Sequence, residues 1–361
     1  MPVYYAVAGA LRVAVLTIDN PPVNALSFAY SASLLEELAS IQRDHECSAV
    51  VVSGANATFS AGADVNDFQT LPPAGFVSVR DVVAALDATE RRVIAAIDGP
   101  ALGGALELAL ACDARVATAR STFALPEVRL GLLPGAGGTQ RLPRLIGAQA
   151  ALEFTLRGRT HDAKRCLELG IIDRIVDVDP VAEALELVER GEVTKRRVAG
   201  LAAALGVDLP AQALPFVVAS AHKLLPPEPR GGRAAHAIVD AVAASVEMPF
   251  AEGLAREARL FEELANSSES AALRHIFFAE RRLTDVDGMA GVVPKQLQRI
   301  GVLGAGTMGT GIALAFAQAG YTVTVVDPED SAIERARRTV METLAYQVRK
   351  GRLEQRAAWE I

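Results

Sequence analysis

The 361-residue chain predicts an α/β fold in three parts: a spiral of short β, β and α units, a helical segment, and the first βαβ unit of a further parallel α/β domain. Three observations predict it. Short β-branched runs that open into glycine-rich loops alternate with amphipathic stretches as far as Glu192, strand patterns cease from Val193, and a strand, glycine loop, helix and strand return after Asp285. The predicted divisions are residues 1–192, 193–284 and 285–361, in keeping with about 150 residues per domain.

Arg12 to Asp19 (RVAVLTID) is β-branched and runs into Asn20-Pro21-Pro22, a strand ending in a turn. Leu34, Leu38 and Ile41 recur at helical spacing within Ser27 to Arg43, with Glu36 and Glu37 opposite, which predicts an amphipathic helix. Val50 to Ser53 is a short apolar run, read as a buried strand, and opens into the small-residue loop Gly54 to Asp64. The plan repeats. Phe76 to Arg91 is amphipathic through Phe76, Val79, Val83 and Leu86, Val93 to Ile97 is a strand, and Asp98 to Gly104 is a second glycine loop. A helix over Ala105 to Asp113, a strand over Arg115 to Ala119 and a third glycine loop, Pro134 to Gly138, complete a spiral whose loops gather at one end.

From Val193 helical pattern replaces strands, interrupted by Pro210, Pro215 and the stretch Pro226 to Arg233. It resumes over Ala234 to Met248, over Glu252 to Ala265 with Leu254, Ala258, Phe261 and Leu264 on one face, and over Glu269 to Leu283 with Ile276 and Phe277. Asp285 to Pro294 reads as a polar connector.

Composition narrows the function. Apolar residues make up 51% and charged residues 22%, ample for packed cores and too apolar for disorder. The apolar stretches Ala199 to Val207 and Ala101 to Cys112 fall short of the roughly 18 residues of a membrane span, so none is expected. A net charge of −7 and 5% aromatic residues argue against a nucleic-acid partner. Cys47, Cys112 and Cys166 are odd in number and lack paired spacing, and Met1 to Ala10 and Trp359-Glu360-Ile361 carry no address signal; the expected location is cytoplasmic. His45, His161, His222, His236 and His275 lack metal-ligand spacing, so no metal is expected, and Cys112 on an apolar helix reads as core rather than nucleophile.

The most specific local motif is near the C-terminus. Arg299 to Gly304 is a short strand, Gly304-Ala305-Gly306-Thr307-Met308-Gly309 satisfies G-x-G-x-x-G, Thr310 to Ala319 is a small-residue helix, and Thr322 to Val326 is a strand ending in Asp327. That acid lies 23 positions after the first glycine, as the ribose-binding acid of a Rossmann unit does. The glycines let the backbone approach a pyrophosphate at the positive end of the helix, and Asp327 would accept hydrogen bonds from an adenosine ribose, which favours NAD over NADP. Only 34 residues follow Asp327, too few for the rest of a dehydrogenase sheet and its acid or base.

A second constellation is Leu102-Gly103-Gly104-Ala105-Leu106-Glu107-Leu108. Glu107 has apolar neighbours all round, so burial would raise its pKa towards proton transfer, unless it snorkels to solvent or pairs with an arginine such as Arg115. Phe123-Ala124-Leu125-Pro126-Glu127 places another carboxylate before the third loop. Two carboxylates over one pocket suit addition of water to a conjugated double bond, one taking a proton from water and the other delivering one to carbon. The enolate oxygen of that reaction needs amide donors, which the loops Ala61-Gly62-Ala63-Asp64 and Gly103-Gly104 can supply.

These stretches, with Ala95-Ala96-Ile97-Asp98-Gly99-Pro100-Ala101, Cys112-Asp113 and Pro134-Gly135-Ala136-Gly137-Gly138-Thr139-Gln140-Arg141-Leu142, resemble the enoyl-CoA hydratase/isomerase (crotonase) superfamily over roughly residues 1–190. The C-terminal βαβ resembles the opening of 3-hydroxyacyl-CoA dehydrogenase, and the fusion resembles the multifunctional enzyme of fatty-acid β-oxidation, truncated within its NAD-binding domain. The resemblance implies a crotonase-like ββα spiral domain acting on an acyl-CoA thioester. It puts the oxyanion-hole donors on Ala63 and Gly104 and the acid/base pair on Glu107 and Glu127. It puts the NAD contacts on Gly304, Gly306, Met308, Gly309 and Asp327. Hydration is the implied reaction, with double-bond isomerisation as a second use of the pocket; the reaction needs no cofactor, and NAD belongs to the dehydrogenase part.

Two positions depart from the family pattern. Ala105 stands where the family has a third glycine, either narrowing acyl room or filling helix packing, and Asn66 stands where many hydratases have a lysine for the CoA phosphates; Arg281 and Arg282 of the bridging helix are alternative cations but read more readily as ordinary solvated helix charges. Monofunctional relatives commonly assemble as trimers, whereas the bridging helices here would cover that surface within one chain and leave a monomer. Two rival readings are an excised portion of a protein whose main activity is NAD-dependent oxidation of 3-hydroxyacyl-CoA, and a non-catalytic acyl-CoA-binding module. NADH formation from 3-hydroxyacyl-CoA would mark the first, and ligand binding without conversion the second.

Overall fold

The computed structural model describes residues 3–69, 75–177, 179–204, 211–225, 232–283, 292–293, 295–351 and 353–361, which divide into two compact units, Met1–Thr284 and Asp285–Ile361. In the first unit β1 (Val3–Ala8) and β2 (Leu11–Ile18) form an antiparallel hairpin turned at Gly9, whose φ is 61°. The strands β3 (Cys47–Gly54), β4 (Arg92–Ile97), β5 (Pro100–Leu102), β6 (Ala114–Thr118), β7 (Thr122–Ala124), β8 (His161–Asp162) and β9 (Arg174–Val176) complete two sheets. The larger has the order β1-β2-β3-β4-β6-β9 and is parallel from β2 onward. The smaller has the order β5-β7-β8, and the bridges Ser60 to Ala101 and Leu26 to Ala63 extend its pattern to the earlier loops.

The chain thus passes repeatedly from large sheet to small sheet to helix, through α1 (Phe28–Arg43), α2 (Val79–Ala88) and α3 (Gly104–Ala111). This is the spiral that the repeated loops predicted. Its strands read as continuous apolar runs because both faces are covered. Ala14, Leu16, Val50, Val52, Val93 and Ala95 pack in the core with α1, α2 and α3. Val13, Val15, Val51, Ile94 and Val116 pack on the other face against Ala184, Leu187 and Val188 of α7 (Pro180–Glu189).

Between these come α4 (Gly138–Ile146), α5 (Ala148–Arg157) and α6 (Ala163–Leu169). The later helices are α8 (Leu214–Leu224), α9 (Arg233–Glu247), α10 (Phe250–Ala265) and α11 (Ser268–Arg282). A separate core joins α8, α9 and α10 to the spiral: Leu214 of α8, Ala237, Ile238, Ala241 and Val242 of α9 and Leu260 and Leu264 of α10 pack with Leu132, Leu133, Ala148 and Leu152.

Several local expectations are corrected. The second helix starts at Val79, not Phe76, because Ser78 and Asp81 close a capping box there, with Asp81 accepting from the Ser78 N–H at 2.7 Å. Residues 193–204 hold only a short 3₁₀ turn, Val198–Gly200, although their composition is helix-like. Tertiary partners take their backbone instead: the Arg196 N–H donates to Asp113 at 2.7 Å and the Ala204 carbonyl accepts from Ala148 N–H at 2.8 Å. The stretch Pro226 to Arg233 and the connector Asp285 to Pro294 lie largely outside the described residues.

In the second unit β10 (Arg299–Leu303) pairs in parallel with β11 (Thr322–Val326) across α12 (Thr307–Gln318), followed by α13 (Asp330–Arg349) and α14 (Gln355–Glu360). The helix opens at Thr307, earlier than Thr310, because Gly306 is its cap. Its core is small, with Ala305, Ala332 and Ala336 buried against Val325 and Ile333.

Candidate active site

A turn that favours glycine sets up α3. Gly103 caps the helix at φ 53°, and a Cβ there would stand 2.8 Å from Glu127 Oε1. Gly62, at φ 90°, carries the 60–64 loop alongside, so that a Cβ on Gly104 would lie 3.5 Å from the Ala63 nitrogen. The Ala63 and Gly104 N–H groups have no hydrogen-bond acceptor among the described residues. Two neighbouring donors, one at a helix N-terminus, form a place for developing negative charge.

Glu107 lies in the first turn of α3, only 2% exposed, and its Oε1 accepts from the N–H groups of Ala136 and Gly138 at 2.7 Å each. Burial raises its pKa, while those two amides and the charges of Arg141 and Arg80 oppose the rise. Arg115 is not its partner; that side chain is buried on Asp173 at 2.8 Å and on the Ile171 and Cys112 carbonyls. Glu127 begins the 3₁₀ turn Glu127–Leu130, and its Oε2 is buried without a hydrogen-bond partner among the described residues. Desolvation, then the charges of Glu107 and Glu257, push its pKa well above the ordinary carboxylate value. The predicted Ala63, Gly104, Glu107 and Glu127 therefore meet around one turn.

The loop Pro134 to Gly138 supports this turn, and its glycines have steric reasons. A Cβ on Gly138 would sit 2.9 Å from Glu107 Oε1, and one on Gly135 would sit 2.5 Å from the Phe261 ring. Arg80 Nε donates to the Gly135 carbonyl at 2.8 Å, and Arg141 donates to the Ala136 carbonyl at 2.9 Å while pairing with Asp87. From α10, Glu257 accepts from the N–H groups of Gly137 (2.7 Å) and Thr139 (3.1 Å) and from the Thr139 hydroxyl (2.5 Å). Sequence reasoning missed Glu257. The available signal was a carboxylate three residues after Leu254 and four before Phe261, inside an apolar helical stripe. A cavity of about 310 Å³ borders this side of the loop, lined by Arg80, Asp87, Arg141, Phe250, Leu254 and Glu257; it does not reach Glu127.

The departures from the family pattern also find places. Ala105 is fully buried in the main core, so its methyl fills packing. Asn66 donates to Asp64 at 2.8 Å, and Arg281 lies over the Phe277 ring at 4.1 Å. Cys112 and Cys166 are buried with thiols pushed up to about 12, which makes them poor nucleophiles. His222 stacks on His236 and meets Asp240 at 3.1 Å; among the described residues no cluster of three or more His, Cys, Asp or Glu side chains has the arrangement to hold a metal ion.

In the second unit Gly304 adopts φ 99°, and Gly309 packs so closely that a Cβ would stand 1.9 Å from the Gly304 carbonyl. Gly306 faces open space, and Met308 is largely exposed. Asp327 accepts from the Ala305 N–H at 2.7 Å and the Glu329 N–H at 2.9 Å, which holds its carboxyl below the ordinary value and so charged. The open glycine at the helix cap and the half-buried carboxylate fit the pyrophosphate and ribose of NAD, which would supply hydride acceptance in a complete dehydrogenase.

A spiral sheet carrying two buried carboxylates beside paired loop amides is an arrangement that can move protons next to a hydrogen-bonded oxygen. A family profile for enoyl-CoA hydratase/isomerase matches residues 10–215, and one for the NAD-binding domain of 3-hydroxyacyl-CoA dehydrogenase matches residues 299–361. The chain belongs to the enoyl-CoA hydratase/isomerase family and carries part of that NAD-binding domain. It is 38% identical over 348 residues, 93% of its length, to the peroxisomal bifunctional enzyme of Pongo abelii, covering 47% of that protein. It is 34% identical over 364 residues, 96% of its length, to a glyoxysomal fatty acid beta-oxidation multifunctional protein of Brassica napus, covering 49%. The chain spans about half the length of the curated relatives it matches. Among solved structures, carnitinyl-CoA hydratase from Mycobacterium avium aligns with a TM-score of 0.53 and 30% identity over 77% of this chain and 95% of that one.

Proposed function

We infer that the first unit hydrates a trans-2-enoyl-CoA to a 3-hydroxyacyl-CoA within fatty-acid β-oxidation. The observation that carries this is the contrast between the two carboxylates. Glu107 receives two amide hydrogen bonds on one oxygen, which favours its charged form, whereas Glu127 is desolvated, has its Oε2 without a partner among the described residues and lies beside other acids, which favours its protonated form. Glu107 takes a proton from water as the oxygen bonds to C3; Glu127 delivers a proton to C2; the π electrons pass transiently to the thioester oxygen, held by the Ala63 and Gly104 amides. One water is added, and proton exchange restores both acids. These steps use only the chain's own carboxylates and amides. Moving a proton between C4 and C2 by the same Glu127 is the corresponding isomerase reaction.

Relatives named for peroxisomes and glyoxysomes stand beside the cytoplasmic location read from composition; among the described residues no helix is long and apolar enough to cross a membrane. Incubation of the protein with trans-2-enoyl-CoA substrates of increasing chain length, followed by mass spectrometry, tests the reading. The expected product is heavier by one water. Binding without conversion at every length would replace it with the acyl-CoA-binding reading.

A further inference from the structure

The loop after Pro134 is gripped from two sides. Four consecutive amides alternate between two carboxylates: Ala136 and Gly138 donate to Glu107, and Gly137 and Thr139 donate to Glu257. The first acid comes from α3 of the spiral, and the second from α10, 150 positions later in the chain. Gln140 adds a tie to the helical layer by donating to the Ala241 carbonyl of α9 at 2.7 Å.

Resting on the hydratase reading, we propose that Glu257 is a positioning residue for that reaction: it fixes the 136–139 loop so that two amides hold one oxygen of Glu107 and aim the other at water. Packing alone does not call for it. An acid only 1% exposed costs desolvation that an apolar residue in the same stripe of α10 would avoid, yet both its oxygens are used on the loop that orients Glu107. The loop cannot hold itself, because Gly137 sits at φ 99° and flanking glycines leave it few side chains to pack. Desolvation and the neighbouring Glu107 push the Glu257 pKa up to about 8, as expected of an acid held against another acid. Residues 193–284 thereby do more than bridge: they complete the hydratase site.

The test compares Glu257→Ala, Glu257→Gln and Glu107→Gln, singly and in the pair Glu107→Gln with Glu257→Ala, using hydration of an enoyl-CoA by the full chain. Wild-type turnover comes first, since its absence removes the hydratase reading and this role with it. With turnover present, Glu257→Ala is expected to lower kcat about 100-fold, the scale of a 1 Å misplacement, with KM within about threefold. Glu257→Gln, which keeps an acceptor for Gly137, is expected to recover at least about tenfold of that loss. In the Glu107→Gln background the Glu257→Ala penalty should shrink below about threefold, because a group acting through Glu107 has nothing left to position. Unchanged kcat in both single variants, a change confined to KM, a fully additive pair, or a Glu257→Gln protein that fails to fold would each overturn the role while leaving the hydratase reading standing.

Discussion

Three glutamates share one buried region, and each has its own consequence. In the unfolded chain Glu257 titrates near 4.5, whereas burial pushes it up to about 8 in the folded one. The folded state therefore holds that proton more tightly, and the stability it contributes is full below 4.5 and lost as pH rises through about 8. The melting temperature of the wild type should fall between pH 5 and 8, and that of Glu257→Gln should fall less; parallel curves would remove Glu257 as a source. Gly103 offers a second test. Alanine there meets Glu127 Oε1 at 2.8 Å in a positive-φ backbone, so Gly103→Ala should cost about 1–3 kcal/mol in denaturant unfolding and lower kcat through a displaced Glu127. Glu107 was legible in the sequence through its apolar helical surroundings, and Glu127, uninformative alone, only through its pairing with Glu107 and the family motif. Glu257 was not, since an acid in a helical stripe looks like a solvated charge until the loop opposite it is known.

At the scale of elements, strands with both faces covered announced themselves as β-branched runs, and β2, β3, β4 and β6 lie where those runs fell. Short strands such as β5, β7 and β8 did not, because two or three residues carry no period and their pairing comes from loops distant in the chain. Residues 193–204 misled for the opposite reason: alanine and leucine favour helix, but Asp113 and Ala148 take their backbone groups. The helical layer should therefore be stable only as part of the first unit. Ile238 of α9 is fully buried between the layers, and Ile238→Ala should destabilise the unit by about 2–5 kcal/mol in denaturant unfolding. A loss below about 1 kcal/mol would mean that the two layers are not one cooperative body.

Across the whole molecule the two units differ in how much they bury. The first holds extensive cores on both faces of its sheet, whereas the second rests on a few alanines while Leu303, Met308 and Trp359 stay exposed. Amides of β10 and β11 should exchange with deuterium well before those of β3 and β4, and equal protection would contradict that ranking. The catalytic account depends on the first unit alone, through the proton-transfer pair. Its most direct test is the loss of enoyl-thioester absorbance with wild type, Glu107→Gln and Glu127→Gln, all retaining the wild-type melting profile. The account predicts that each substitution slows hydration by about 10²–10⁴-fold; full activity in both variants would contradict it.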